Sequence, residues 1–286
     1  MKTKLFAAIA LAFVLATSGF AQTGYPVSGH VGSDTAGSVA MLIKYVGTAA
    51  ASATTDVAVA AGGDMTFRVA GVASTTINSA AVCGATAGTL DLSTPAATCD
   101  TLGEVVDVIN ATSDWRAVLV GALRTDSSDN TLTTFAVAAA MKAEGVAVYF
   151  DSAVSLTTSI ALIPDNCKTD IRCFMSPQGR LQQNPDGGTQ TDVRWVEGYA
   201  TYATTGTFNI YSVKASNQAG TSAQTITTLW SEAAGASTVN KQLTAFQYLG
   251  LKGKPNERVI VRITTTGASS AFILHAYGLR GPVQIQ

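Results

Sequence analysis

Charge, histidine and long apolar runs are all scarce in this chain, and each shortage closes off a class of function. Asp, Glu, Lys and Arg make up 13% of the 286 residues, against about 25% in an ordinary soluble domain. With 18 Lys and Arg against 19 Asp and Glu, the formal net charge is −1. That balance is wrong for a general nucleic-acid binder, so no nucleic-acid partner is expected. Only two histidines occur, His30 and His275, near opposite ends of the sequence. The side chain most often used for proton transfer near neutral pH is therefore almost absent. No GxSxG elbow, P-loop, GxGxxG fingerprint, HExxH or CxxC motif is present. Those absences weigh against the common hydrolase, nucleotide-binding and zinc-enzyme designs, and no cofactor and no catalytic residue is assigned. A glycosidase needs only two suitably spaced carboxylates, but nothing singles out a pair among the 19 acidic residues.

The one long apolar run stands at the start. Met1-Lys2-Thr3-Lys4 is positive, Leu5 to Ala16 is apolar, and Gly19-Phe20-Ala21 offers a small-residue cleavage site. This is the three-part pattern of a secretory signal peptide, with an apolar stretch short for a permanent bilayer span. Residues 1–21 are therefore expected to be removed, leaving a secreted or surface-exposed chain that begins at Gln22, with no membrane span.

What remains differs in its two halves. Gln22 to Ser155 holds 5 Lys and Arg against 12 Asp and Glu, a net of −7, whereas Leu156 to Gln286 holds 11 against 7, a net of +4. The pattern predicts a mainly β protein: a small α+β module over 22–155, then an all-β, jelly-roll-like sandwich over 156–286. In the first module Val39–Val46, Asp64–Val69, Thr89–Leu92, Trp115–Val120 and Ala143–Phe150 read as strands. An Ala/Thr/Gly stretch of poor periodicity separates the first two. The clearest helix lies at Asp100 to Asn110, where Thr101 and Glu104 have capping-box spacing and Leu102, Val105, Val106 and Ile109 form one apolar stripe. The second module reads as strands at Leu156–Ile163, Asp192–Tyr202, Thr207–Lys214, Ala223–Trp230, Leu243–Leu249, Arg258–Thr265 and Ala271–Tyr277, with turn signals such as Asn184-Pro185-Asp186-Gly187 between them.

Four cysteines in an exported chain predict disulfides. Cys83 with Cys99 and Cys167 with Cys173 is the most local of the three possible pairings, and it keeps each bridge inside one module. The first bridge closes a loop of about 15 residues, enough for ~3 kcal/mol through the unfolded state. Asp126-Ser127-Ser128-Asp129-Asn130 carries oxygen donors of the kind calcium takes, but it departs from the EF-hand pattern and reads more simply as a self-hydrogen-bonded turn. Asn110-Ala111-Thr112 is formally a glycosylation acceptor at the predicted helix end.

Aromatic residues gather at Trp195, Tyr199, Tyr202, Phe208 and Tyr211. Strand alternation puts Trp195 and Tyr199 on one face with Glu197, a possible ligand surface for a glycan, whereas burial in the sandwich core is the plainer explanation. Lys252, Lys254 and Arg258 supply a basic surface that the acidic module of a second copy would meet, so a homo-oligomer or a particle surface is the expected partner.

The strand Met65-Thr66-Phe67-Arg68-Val69, the segment Thr89-Leu90-Asp91-Leu92, the helix from Thr101 to Asn110 and the strand that begins at Trp115 resemble modules of phage virion structural proteins. The strand-dense Thr/Gly/Ala-rich second half likewise looks like a head-fibre, decoration or tail-associated β domain. The resemblance covers about half of the mature chain and implies a structural role. The signal peptide departs from that pattern, since most virion proteins assemble in the cytoplasm. The functional expectation is thus an exported, non-enzymatic structural protein that self-assembles or decorates a particle or cell surface, with an extracellular glycan-binding or adhesion module as the alternative.

Overall fold

Ala40, Met41, Leu42 and Ile43 form an unbroken apolar run, and in the computed structural model all four are fully buried. The structure describes residues 25–32, 39–49, 55–59, 63–77, 83, 88–92, 99–129, 132, 135–139, 145–150, 156–161, 170–175, 189–201, 206–215, 224–234, 240–253, 257–265 and 271–282. In chain order the elements of the first half are β1 (Tyr25–Gly32), β2 (Val39–Tyr45), β3 (Thr55–Val59), β4 (Met65–Val69), β5 (Val72–Ala73), β6 (Thr89–Leu90), α1 (Leu102–Ala111), β7 (Trp115–Leu119), β8 (Phe135–Ala139) and β9 (Val146–Tyr149). The second half holds β10 (Leu156–Ala161), a 3-10 turn at Ile171–Phe174, β11 (Thr189–Thr201), β12 (Gly206–Ala215), β13 (Gln224–Ala234), β14 (Asn240–Gly253), β15 (Glu257–Thr265) and β16 (Ala271–Pro282). The protein is mainly β, as its alternating patterns predict, with one α-helix among the described residues.

The described strands form four antiparallel sheets. Two belong to the first half: β7-β2-β9, and β5-β4-β3-β8 with β6 paired to β4. The other two are four-stranded, ordered β1-β16-β11-β14 and β10-β15-β12-β13. Strands β1, β3 and β8 form where the sequence predicts none. Alanine, glycine and serine supply little amplitude to an alternating pattern, so Phe135-Ala136-Val137-Ala138-Ala139 and the β3 segment in the Ala/Thr/Gly stretch gave weak local signals.

Helix α1 is built as its sequence dictates. The Thr101 hydroxyl accepts from Glu104 N–H at 3.4 Å, and the Glu104 carboxylate accepts from Thr101 N–H at 3.1 Å. This reciprocal cap contributes about 1 kcal/mol. Leu102, Val105, Val106 and Ile109 are fully buried along the predicted stripe. Gly103 is buried too, and its N–H donates to Arg124 O at 3.0 Å.

Alternation in β7 divides its side chains between two cores. Trp115, Ala117 and Leu119 join Met41, Ile43 and Tyr45 of β2 in a cluster that includes the apolar stripe of α1. Val118 and Val120 join Leu42 in a second cluster on the opposite face. A sheet covered on both faces needs near-continuous apolar strands, which is why the β2 segment shows no clean alternation. Trp115 is the centrepiece of the first core, fully buried and packed edge-to-face against Tyr45 and Phe67 at centroid separations of 5.1 and 5.0 Å. Its indole Nε1 donates to Ser74 Oγ at 3.0 Å, which supplies the one partner a buried Trp requires.

Contacts also cross the junction expected between 155 and 156. The second core holds Leu42, Val118, Val120 and Leu123 from before it, and Ile171, Phe174, Met175, Val213 and Ile260 from after it. Arg124 N–H donates to Gln224 Oε1 of β13 at 3.1 Å, and β1 pairs along its whole length with β16.

Candidate functional site

The sheet β1-β16-β11-β14 gathers the sequence features that carry chemistry. Residues directly opposite one another on antiparallel strands share a face of the sheet, so the register assigns each residue a row. Against β16 the register of β11 runs without a shift from Trp195 to Thr201, after a bulge between Val193 and Trp195. Trp195, Glu197 and Tyr199 therefore occupy one face of β11, opposite Tyr277, His275 and Ile273. Trp195 is also opposite Tyr248 of β14. Tyr277, Trp195 and Tyr248 thus make one aromatic row across three neighbouring strands. Two positions along the sheet, His30 of β1 is opposite His275 of β16, which in turn is opposite Glu197 of β11. The two histidines that the sequence separates so widely are register partners. No local signal reveals this, because it depends on pairing between the first and last described strands.

The other rows of the same sheet differ in character. Val27 is opposite Gly278, which is opposite Val193, and Val31 is opposite Leu274. These alternate rows are apolar along much of the sheet, while Tyr25, Arg280 and Thr191 stand in one row at its end. Of the remaining cluster aromatics, Tyr211 is half-buried against the second core, and Tyr202 lies outside the described residues.

Cys83 and Cys99 form a disulfide, with both residues fully buried and their Cα atoms 5.1 Å apart. Cys83 has a left-handed backbone, φ +67°, which a non-glycine residue adopts only when its surroundings hold it there. The bridge and a hydrogen bond from Asp91 N–H to Cys83 O at 3.1 Å provide that hold. The expected Cys167 to Cys173 bridge and the leader over 1–21 lie outside the described residues.

The Asp126 to Asp129 segment is knit into its own backbone. Asp126 Oδ2 accepts from Leu123 N–H at 2.7 Å, Asp126 O accepts from Leu102 N–H at 2.8 Å, and Asp129 N–H donates to Ser127 Oγ at 3.2 Å. Among residues whose side chains are described, no group of three His, Cys, Asp or Glu is placed to hold a metal ion. Asn110, the formal glycan acceptor, instead has its amide engaged with the Ala117 backbone.

Lys252 sits on β14 opposite Asp192, and Arg258 sits on β15 opposite Val213. These strands belong to different sheets, and Lys254 between them lies outside the described residues. A second charged group was not apparent in the sequence. Asp170 caps the 3-10 turn by accepting from Arg172 N–H at 2.8 Å, and its carboxylate pairs with the Arg172 guanidinium. The Arg172 hydrogen bond holds the Asp170 carboxyl below the usual range against the opposing effect of burial, while burial and Arg172 lower the Lys44 ammonium. Asp64 is shifted the other way: burial, then the neighbouring Asp91 carboxyl, raises it.

Comparison with protein-family models, with curated proteins and with solved structures returns no match for this chain.

Proposed function

We propose that this is an exported, non-enzymatic structural protein that works through its surfaces, assembling with copies of itself or decorating a particle or cell surface, a virion being one such particle. The observation that carries the reading is the strand order of the two four-stranded sheets. With residues 33–155 set aside, the remaining strands number one to eight as β1, β10, β11, β12, β13, β14, β15 and β16. The two sheets then read 1-8-3-6 and 2-7-4-5, antiparallel throughout. First pairs with eighth, second with seventh, third with sixth and fourth with fifth, as though one long hairpin had been rolled up. That order supports the jelly-roll-like sandwich expected from the sequence, an architecture used by viral coat proteins and by lectins.

In this reading the α+β segment is an insertion between the first and second jelly-roll strands, and the sandwich begins at Tyr25 rather than after residue 155. The inserted segment packs through the second core onto Val213 and Ile260. A disulfide-bearing module that shares an apolar core with the later strands suits a particle component that presents a fixed surface. Export is supported by the positive start, apolar stretch and small-residue site of residues 1–21. Negative-stain microscopy and light scattering of the mature protein test the assembly. Ordered oligomers without added ligand are expected, and a strict monomer at high concentration overturns it.

A second reading, a glycan-binding or adhesion module, is favoured by one specific observation, the row Tyr277, Trp195 and Tyr248. Aligned aromatic residues on one sheet face form the kind of flat apolar platform on which sugar rings stack. Glycan-array binding lost in Trp195→Ala supports it, and a blank array removes it.

A further inference from the structure

A strand at the end of a sheet presents unpaired backbone donors and acceptors, and proteins blunt such edges with short strands, lysine, proline or a covering group. Most sheet ends in this chain are blunted in that way. β5, β8, β9 and β10 have two, five, four and six residues. β1 carries Pro26, β14 carries Lys241 and Lys252, and the Asn110 amide engages β7 at Ala117. β13 is the exception. It runs for 11 residues at the end of the sheet β10-β15-β12-β13, with β12 as its one pairing partner among the described strands. Gln224 to Ser231 contains no charged residue and no proline. Thr225, Thr227 and Thr228 are exposed, while Ile226 between the first two is half-buried against the second core. Arg124 N–H donates to Gln224 Oε1 at 3.1 Å and fixes the start of the strand. This edge is therefore held in place and open to solvent. The register against β12 slips once, leaving Leu229 as a bulge, so Gln224 to Thr228 is the regular stretch.

We propose that Gln224 to Thr228 pairs antiparallel with the same segment of a second copy of this chain, an inference that rests on the assembly reading above and names its contact. The segment Gln-Thr-Ile-Thr-Thr is self-complementary about Ile226. Centred there, the pairing sets Thr225 opposite Thr227 of the partner subunit, and Thr227 opposite Thr225 of the partner subunit. Directly opposed threonines on antiparallel strands stabilise the pair, and no like charges meet. Thr225 and Thr227 flank Ile226 in the strand, so both take the face away from the second core. The contact is its own two-fold, which closes as a dimer instead of growing into a filament, and it joins two four-stranded sheets into one.

The test uses the mature full-length protein, with mass measured by light scattering over a range of concentrations. The wild-type chain should dimerise. Thr225→Lys combined with Thr227→Lys puts lysine opposite lysine at two places and should raise the dimer dissociation constant roughly tenfold or more. Thr225→Lys combined with Thr227→Glu puts lysine opposite glutamate at both places in the same register and should keep the dimer. The double-lysine chain mixed with a double-glutamate chain should pair again, which also shows that both are folded. If the like-charged variants do not fold, Thr225→Cys combined with Thr227→Cys decides: oxidation should link two chains, and chains that stay single overturn the pairing. A wild-type oligomer that both charged variants leave unchanged, or a lysine–glutamate variant as disruptive as the double lysine, overturns the β13 contact while leaving assembly through another surface standing. A strict monomer at high concentration overturns both.

Discussion

The Asn110 side chain closes a pair of hydrogen bonds on Ala117, with Nδ2 donating to the Ala117 carbonyl at 2.9 Å and Oδ1 accepting from its N–H at 2.8 Å. Ala117 lies on β7, an edge strand of its sheet, so the last turn of α1 supplies the partner that another strand would otherwise provide. Asn110→Ala should cost about 1–3 kcal/mol by stranding two backbone groups. Urea denaturation reads the loss. An unchanged midpoint would mean that water replaces the amide without penalty.

Ser74 matters for a similar reason. Ser74→Ala removes the acceptor of the buried Trp115 indole N–H and should cost about 1–3 kcal/mol. Because the two changes share one interaction, Ser74→Ala combined with Trp115→Phe should cost less than the sum of the two singly. Strict additivity in a double-mutant cycle would show that the hydrogen bond carries no coupling energy.

At Gly103 ordinary helix propensity should fail. Alanine in place of glycine usually stabilises a helix by about 1 kcal/mol. Here a Cβ would stand 2.7 Å from Arg124 Cβ and 2.8 Å from Arg124 O. The second of these is backbone, so relief requires the segment at 124 to move away from α1. Gly103→Ala should lower the melting temperature, and a rise would mean that the segment yields freely.

Asp64 gives a pH-dependent prediction. Burial and the adjacent Asp91 raise its carboxyl in the folded state, so the folded protein holds this proton more tightly than the unfolded chain does. Its effect on stability is therefore unfavourable above the folded pKa and fades as pH drops through that value toward the ordinary carboxylate range. Asp64→Asn should raise the melting temperature at neutral pH, with the advantage shrinking in acid. A gain that is equal at both pH values would assign the effect to packing.

If copies associate through unlike charge, the acidic first half and the basic second half set the encounter rate. Exposed ion pairs contribute only about 0–1 kcal/mol each and are screened within ~8 Å at physiological salt, so apolar surface must hold the assembly. Added salt should slow association more than it speeds dissociation, and Lys252→Glu, Lys254→Glu, Arg258→Glu should slow it further. Light scattering across salt concentrations measures both, and an oligomer indifferent to salt and to charge reversal would exclude electrostatic steering.

Local signals in the sequence survive into the structure. The capping box and apolar stripe of α1, the alternating strand Arg258 to Thr265 and the pairing of Cys83 with Cys99 are each legible from spacing within a few turns of chain. The pattern in β2 was readable as a strand but not as one covered on both faces, because burial by two different cores depends on what packs there. Asn110 showed only a glycosylation motif, since its partner Ala117 follows the helix end. The His30, His275 and Glu197 row was invisible for the same reason on a larger scale: register between distant strands leaves no trace in local periodicity.

The pairing of β1 with β16 also constrains the order of events in folding. A strand near the start of the chain cannot find its partner until nearly all of the sequence has been synthesised, and the contact closes a very long loop. The sheet's edge must therefore be completed late. Under the proposed export this delay is useful, because a polypeptide whose β1 and β16 pair late remains extended enough to thread through a translocation pore.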